Sequence, residues 1–445
     1  WGWGKPGEKV SVSIADQSSA VEADKDGKWL VRLGSLQAGG PHEMKVSGEN
    51  TITIKNVLVG EVWVCSGQSN MAWGMSLFKD TQTDIAQADF PKIRWFNANS
   101  NQASEEPQKD IPPGYWAVCS PRSVPGFSAT GYFFARELHR TLNVPVGIIN
   151  CSAGGTIAEA WTDRESLSGS PELKPLVDKL DNELREYAKG APSPANDPRG
   201  KFQTMPSGLF NGLIAPLLPY SVTGIIWYQG ESNADNPNRY KTLFPLLIKG
   251  WRKAWRQEDM PFIFVQLPSY GATTPPWNKW AEIREAQCMA LALPKTAMVV
   301  TIDNPDSGNL HPNNKRDVGA RLALSARAVA YGENVVYSGP LFKGMSKEDG
   351  KLRIAFTHVG GGLEAKGGQP LKGFEIAGGD GKFLEANTEV DNGSVLVWKD
   401  GLAEPAAVRY AWDNNPVCSL FNKEGLPASP FRFETPQSQK TGISK

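Results

Sequence analysis

The spacing of apolar and polar positions changes twice along the chain. Over residues 1–58 it has period two. The runs "KVSVSI", "KWLVRL", "MKVS" and "NTITIKNV" are separated by Asp-Gly and Gly-Gly turn signals, which predicts a small antiparallel β-unit. Over 59–331 short apolar runs alternate with helical stretches. The expected strands are "GEVWVCSG", "KIRWFNA", "VPVGIINCSAGG", "VTGIIWYQGES", "PFIFVQLPS" and "TAMVVTIDN". The expected helices include "SATGYFFARELHRTL", "NRYKTLFPLLIKGWRKAW" and "IREAQCMALAL". Strands separated by helices predict a parallel sheet covered on both faces. Near 171–205 a charged helical stretch and the Pro-rich loop "APSPANDPRG" interrupt the rhythm as an insertion. Over 332–445 period two returns with Gly-rich turns, predicting a β-sandwich-like unit that ends in a frayed tail, "SQKTGISK".

The most informative interruption is "VWVCSGQSNMAWG", residues 62–74. A buried-looking strand stops at Ser66-Gly67, three polar residues follow, and the chain turns apolar again. In open parallel sheets, ligands bind beyond the carboxyl ends of the strands. The residues after each expected strand therefore carry the chemistry. They are Gly67-Gln68-Ser69-Asn70, Ser152-Ala153-Gly154-Gly155-Thr156, Gln229-Gly230-Glu231-Ser232-Asn233, and a polar loop leading to His311-Pro312. Together they supply a hydroxyl, paired glycines, amide side chains and an imidazole. Acyl transfer needs these groups: a serine with a base in reach, and N–H donors for the oxyanion. Ser69, at the start of a helix after a tight Gly turn, would also gain from the helix dipole.

Composition narrows the alternatives. Forty-seven basic residues balance forty-seven acidic ones, so no global field favours nucleic acid or an anionic membrane. No run of eighteen apolar residues is present to span a bilayer. The opening "WGWGKPGEKVSVSI" reads as the interior of a β-unit, and we expect a leader and a first strand ahead of it. The five cysteines show no zinc spacing, and their odd number leaves at least one unpaired within the chain. With four histidines, His42, His139, His311 and His358, no HExxH motif exists. His139 lies in a helical pattern, and His42 and His358 in the flanking β-units, so His311 is the candidate base. The Gly-x-Ser-x-Gly elbow is absent because Met71 stands at its second glycine. Phosphate-loop motifs are absent too.

Taken together, "GEVWVCSGQSNM", "SAGGTIAEAWT", "GIIWYQGESN" and "HPNNKRDVGARLAL" resemble the sialate O-acetylesterases and related carbohydrate esterases of the SGNH hydrolase superfamily. The resemblance covers most of 58–331 and extends into both flanks. It implies a flavodoxin-like three-layer α/β/α domain with β-rich domains before and after it. It also implies a serine esterase that removes O-acetyl groups from a carbohydrate, sialic acid first. An export location, an acetylated carbohydrate as substrate, and no metal or organic cofactor follow from the same resemblance. By motif, Ser69 is the nucleophile and His311 the general base and acid. The amides of Ser69 and Gly154 with the Gln229 side chain would form the oxyanion hole. Glu231 and Asn233 would organise the site, with Asn233 the alternative amide donor. The superfamily's aspartate, two or three residues before the histidine, is replaced here by Gly308 and Asn309. Asp303, Asp306 or a backbone carbonyl is left to hold the imidazole. Acetylxylan or another plant glycan is the alternative substrate, and an inert carbohydrate-binding protein the alternative class. Some of the fifteen tryptophans, as in "TTPPWNKWAEIREAQ", would suit a sugar-facing rim, although any single one is expected to pack the core.

Overall fold

The computed structural model describes residues 1–98, 103–111, 114–190, 197–272, 274, 279–304, 306–368 and 370–434. The expected tail and most of "APSPAND" lie outside the described residues. At the centre stands a sheet of seven strands: β1 Glu61–Gly67, β2 Phe90–Asn97, β3 Trp116–Cys119, β4 Val146–Ser152, β5 Gly224–Tyr228, β6 Phe262–Val265 and β7 Thr296–Val299. Their order is β7-β6-β5-β1-β4-β2-β3, parallel throughout except for β3, which runs antiparallel to β2. The apolar runs predicted the parallel strands; the short edge strand β3 was not among them. A single antiparallel edge strand is a common end to such a sheet.

Alternation along β1 explains why its run looks continuously apolar. Trp63 and Cys65 enter one core with Ile148, Ile226 and Phe133, whereas Val64 enters the other with Ile149, Trp227 and Phe244. A sheet buried on both faces needs apolar residues at both parities. One face is covered by the helices Ala129–Leu142 and Lys315–Val329, the other by Pro237–Trp255 and Trp280–Met289. Gly319 lets the first pair approach closely: a Cβ there would fall 2.4 Å from Phe133 Cβ.

The flanks are antiparallel. Residues 9–59 form a four-stranded sheet whose last strand, Thr51–Val59, leads directly into β1. Of the predicted run "KWLVRL" only Lys28–Trp29 is strand, paired with Gly2–Trp3. Beyond residue 340 two four-stranded antiparallel sheets enclose Ile354, Val395, Phe374, Ile376 and Tyr410. Buried Arg284 stitches this β-unit to the central sheet, donating to Leu267 O at 2.8 Å, Asp413 O at 2.7 Å and Asn414 O at 2.9 Å. No helix among the described residues is long and apolar enough to cross a membrane.

Register brings the strand ends to one level. Gly67 of β1 is paired with Ser152 of β4 and with Tyr228 of β5. The chain builds outward from β1 to one side through β2, β3 and β4, then crosses to β5 on the other. That reversal is where open α/β sheets leave a crevice.

Candidate active site

The serine turn is made by backbone constraints. Gly67 has φ +132°, and a Cβ there would lie 2.1 Å from Tyr228 O, so only glycine fits between β1 and β5. Gln68 N then donates to Tyr228 O at 2.9 Å, and Gln68 Oε1 accepts from Ser232 N at 3.2 Å. Ser69 opens a helix of only four residues, Ser69–Ala72, which ends at the extended Trp73. A single turn carries little macrodipole. Its contribution is its free N–H groups, since Ser69 N and Gly154 N have no partner among the described residues. Gly154 is next to the serine, as a Cβ on it would lie 3.7 Å from Ser69 Cβ.

Facing this turn is the loop between β7 and the helix Lys315–Val329. It delivers His311, whose Nε2 lies 2.8 Å from Ser69 Oγ. Asn309 Oδ1 accepts from His311 N at 2.9 Å, and the imidazole stacks on Trp73 with ring centroids 3.7 Å apart. Burial, and then the charge of Lys315, lower the His311 pKa to about 4. The ring is therefore a neutral imidazole at neutral pH. It can accept the Ser69 proton.

Behind the pair, Asn70 Nδ2 donates to Glu231 Oε1 at 2.6 Å and to Leu310 O at 3.0 Å, while its Oδ1 accepts from Lys315 Nζ. Thr130 Oγ1 donates to Asn70 O at 3.0 Å and anchors the turn to the neighbouring helix. Burial raises the Glu231 carboxyl pKa, and its Oε2 has no hydrogen-bond partner among the described residues.

A serine and an imidazole in hydrogen-bond contact, beside free backbone donors at the switch point of a parallel sheet, make an esterase-type site. A family model described as carbohydrate esterase, sialic acid-specific acetylesterase, matches residues 59–190 and 211–328. The chain belongs to this family of sialic acid-specific carbohydrate esterases. The sialate O-acetylesterase of Mus musculus is 32% identical over 97% of this chain and 90% of its own length. That of Homo sapiens is 30% identical over 97% of this chain and 88% of its own length. The crystal structure of a carbohydrate acetylesterase from Xanthomonas citri matches with a TM-score of 0.87 at 38% identity, covering 98% of this chain and 95% of that one.

Not every candidate reaches the contact between Ser69 and His311. Gln229, expected as an oxyanion donor, is fully buried, and its Nε2 donates to Asn233 Oδ1 at 2.7 Å and Thr156 O at 3.1 Å. Tyr240 donates to its Oε1 at 3.0 Å, so the whole amide is committed to holding the β5 turn. The alternative donor, Asn233, is turned to Glu159 Oε2 at 2.8 Å and accepts from Ala158 N at 2.9 Å. Asp303 is a partner of Arg321 at 2.6 Å, and Asp306 accepts from Asn309 and Asn313 at 3.2 Å each. Neither carboxylate, nor any backbone carbonyl among the described residues, accepts from His311 Nδ1. For Asp303 the reason is local: Arg321, nearly two turns into the helix Lys315–Val329, already holds its carboxylate.

Other residues at the site were not singled out from the sequence. Trp73 closes the "GQSNMAW" motif, and its place at the end of a single-turn helix was the available signal. Lys315, in "HPNNK", lies four residues beyond the histidine. Gln203 borders Gly155, where a Cβ would be 3.7 Å from its Nε2. Trp280 packs the core with its Nε1 on Pro268 O at 2.7 Å, and Trp277 lies outside the described residues. All five cysteines are free. Among the described residues no group of three or more His, Cys, Asp or Glu could hold a metal ion.

Proposed function

We propose that this protein is a serine esterase removing O-acetyl groups from carbohydrates, with O-acetylated sialic acid its first candidate substrate. The observation that carries the reading is the 2.8 Å contact between Ser69 Oγ and His311 Nε2 in a chain of this family. Ser69 Oγ attacks the acetyl carbonyl carbon while its proton passes to His311 Nε2. The carbonyl oxygen becomes an oxyanion that takes the N–H donors of Ser69 and Gly154. Collapse breaks the bond to the sugar oxygen, which leaves with the proton from His311 as a free hydroxyl. Water, giving a proton to the same nitrogen, attacks the acetyl-Ser69 ester. Ser69 Oγ then leaves with that proton from His311, restoring its hydroxyl, and the acetic acid released ionises to acetate. Gln229, Asn233 and Glu159 act here by fixing the turn beside the serine.

The sialate substrate is supported by the family and the mammalian relatives. The bacterial carbohydrate acetylesterase at 38% identity is a reason to test other glycans beside it. Acetate release should be measured on O-acetylated sialic acids and on acetylated xylan in parallel. A kcat/KM at least tenfold higher on the sialic acids supports the first reading. The reverse preference makes the enzyme a plant-glycan acetylesterase, and no release from either with retained glycan binding makes it a binding protein.

A further inference from the structure

One charged side chain beneath the serine turn has no part in the acetyl transfer itself. Lys315 opens the helix Lys315–Val329, is 1% exposed, and sets its Nζ over the rings of Phe78 at 5.2 Å and Tyr228 at 5.3 Å. Among the described residues its only hydrogen-bond acceptor is Asn70 Oδ1. Burying an ammonium with one acceptor costs folding free energy, and an apolar side chain would fill the space without that cost.

The arrangement around Asn70 shows what the charge does. A cation stands at the oxygen end of the amide, and the carboxylate of Glu231 at its nitrogen end. Turning the amide over would set N–H against ammonium and oxygen against carboxylate, so its orientation is fixed. The second hydrogen of Nδ2 then goes to Leu310 O, the carbonyl adjacent to His311.

We propose that Lys315 is a positioning residue of this esterase: with Glu231 it locks the Asn70 amide, which holds Leu310, and so the His311 ring, against Ser69. The inference rests on Ser69 and His311 being the reacting pair. In a Ser-His-Asp triad a carboxylate on the second ring nitrogen aims the imidazole. Here the aim is set through the backbone beside the ring, and the stack on Trp73 limits its rotation.

A second consequence makes the role measurable. The groups facing the ammonium are Glu231, Asp306, the Tyr228 phenol and the His311 imidazole. Burial brings the Lys315 pKa down to about 7, opposed by the charges of Glu231 and Asp306. Its charge also disfavours the imidazolium of His311, after the larger effect of burial. Removing the ammonium should therefore make His311 easier to protonate.

The test uses the full chain and p-nitrophenyl acetate, with Ser69→Ala as the blank that establishes serine-dependent hydrolysis. Lys315→Met removes the charge at similar length. Lys315→Met with Glu231→Gln removes both charges and keeps an acceptor for Asn70. The expected result is a kcat about tenfold or more lower, with KM within about threefold. The acid limb of kcat/KM should rise by about half a pH unit. If the single variant does not fold, the double variant carries the same expectation. A folded variant with wild-type kcat overturns the proposal. A lower kcat with an unmoved acid limb also overturns it, because a structural role alone would give that. Absence of serine-dependent hydrolysis in the wild-type chain instead overturns the esterase reading, and the inference with it.

Discussion

The two halves of the site are held in different ways. The serine turn is fixed by backbone: Gly67 against Tyr228 O, Gln68 bridging to the β5 loop, and Thr130 on Asn70 O. The histidine loop is fixed by side chains: Asn309 on its backbone, Asn309 and Asn313 on Asp306, the Trp73 ring, and Asn70 on Leu310. A backbone-held turn tolerates few sequences, so it leaves a motif. A side-chain-held loop can be built from several residue sets. The first half should therefore fail abruptly when broken, and the second in steps.

The largest effect is expected at Ser69, the proposed nucleophile. Ser69→Ala should lower kcat by about 10⁶-fold, the scale of loss in serine-protease triads, with thermal stability unchanged. Residual activity above a tenth of wild type would remove Ser69 from the mechanism. Breaking the turn itself comes next. Gly67→Ala forces a Cβ to 2.1 Å from Tyr228 O at a φ of +132°, and should cost on the order of 3–5 kcal/mol in denaturant unfolding. An alanine variant as stable as wild type would mean that the turn is not held as described.

On the histidine side the effects are graded. With the His311 pKa lowered to about 4, kcat/KM at pH 5 should stay within about twofold of its plateau. A base at the ordinary value near 6.5 would by then have lost roughly thirtyfold. The sign for stability follows from the same shift. Between about 4 and about 6.5 the unfolded chain binds more protons at this residue. The stability it contributes is fully present above the unfolded value and is lost as pH falls through the folded one. An acid limb near 6.5 would show that the ring is not buried as described. Trp73→Ala should cost a further, smaller amount, about three- to tenfold in kcat, the scale of one aromatic stack. A loss of a thousandfold would give Trp73 a more direct part.

The same contrast sets how much was legible in the sequence. The parallel strands, the covering helices and the residues after each strand end were readable, because a sheet buried on both faces needs continuous apolar runs. The edge strand Trp116–Cys119 was not, being four residues of mixed exposure. Ser69, Gly154 and His311 come together from one end of the sheet. The engagement of Gln229 with Thr156 and Asn233 was not legible, because a buried amide at a strand end looks the same in sequence whether it faces a substrate or neighbouring protein groups. Asp303 was a reasonable acid by position, but the competing guanidinium of Arg321 lies 18 residues away in sequence. Lys315 was passed over because a lysine at the start of a helix ordinarily faces solvent.

The central claim is that His311 works on Ser69 without a carboxylate on its second ring nitrogen. The most direct measurement is kcat/KM for p-nitrophenyl acetate in the double variant Asp303→Asn with Asp306→Asn. In a Ser-His-Asp triad, neutralising the acid costs about 10⁴ in kcat. Here both carboxylates are engaged elsewhere, by Arg321 and by the amides of Asn309 and Asn313. The double variant should stay within about tenfold of wild type. A loss approaching 10⁴ in a folded double variant would contradict the account and restore an acid to the site.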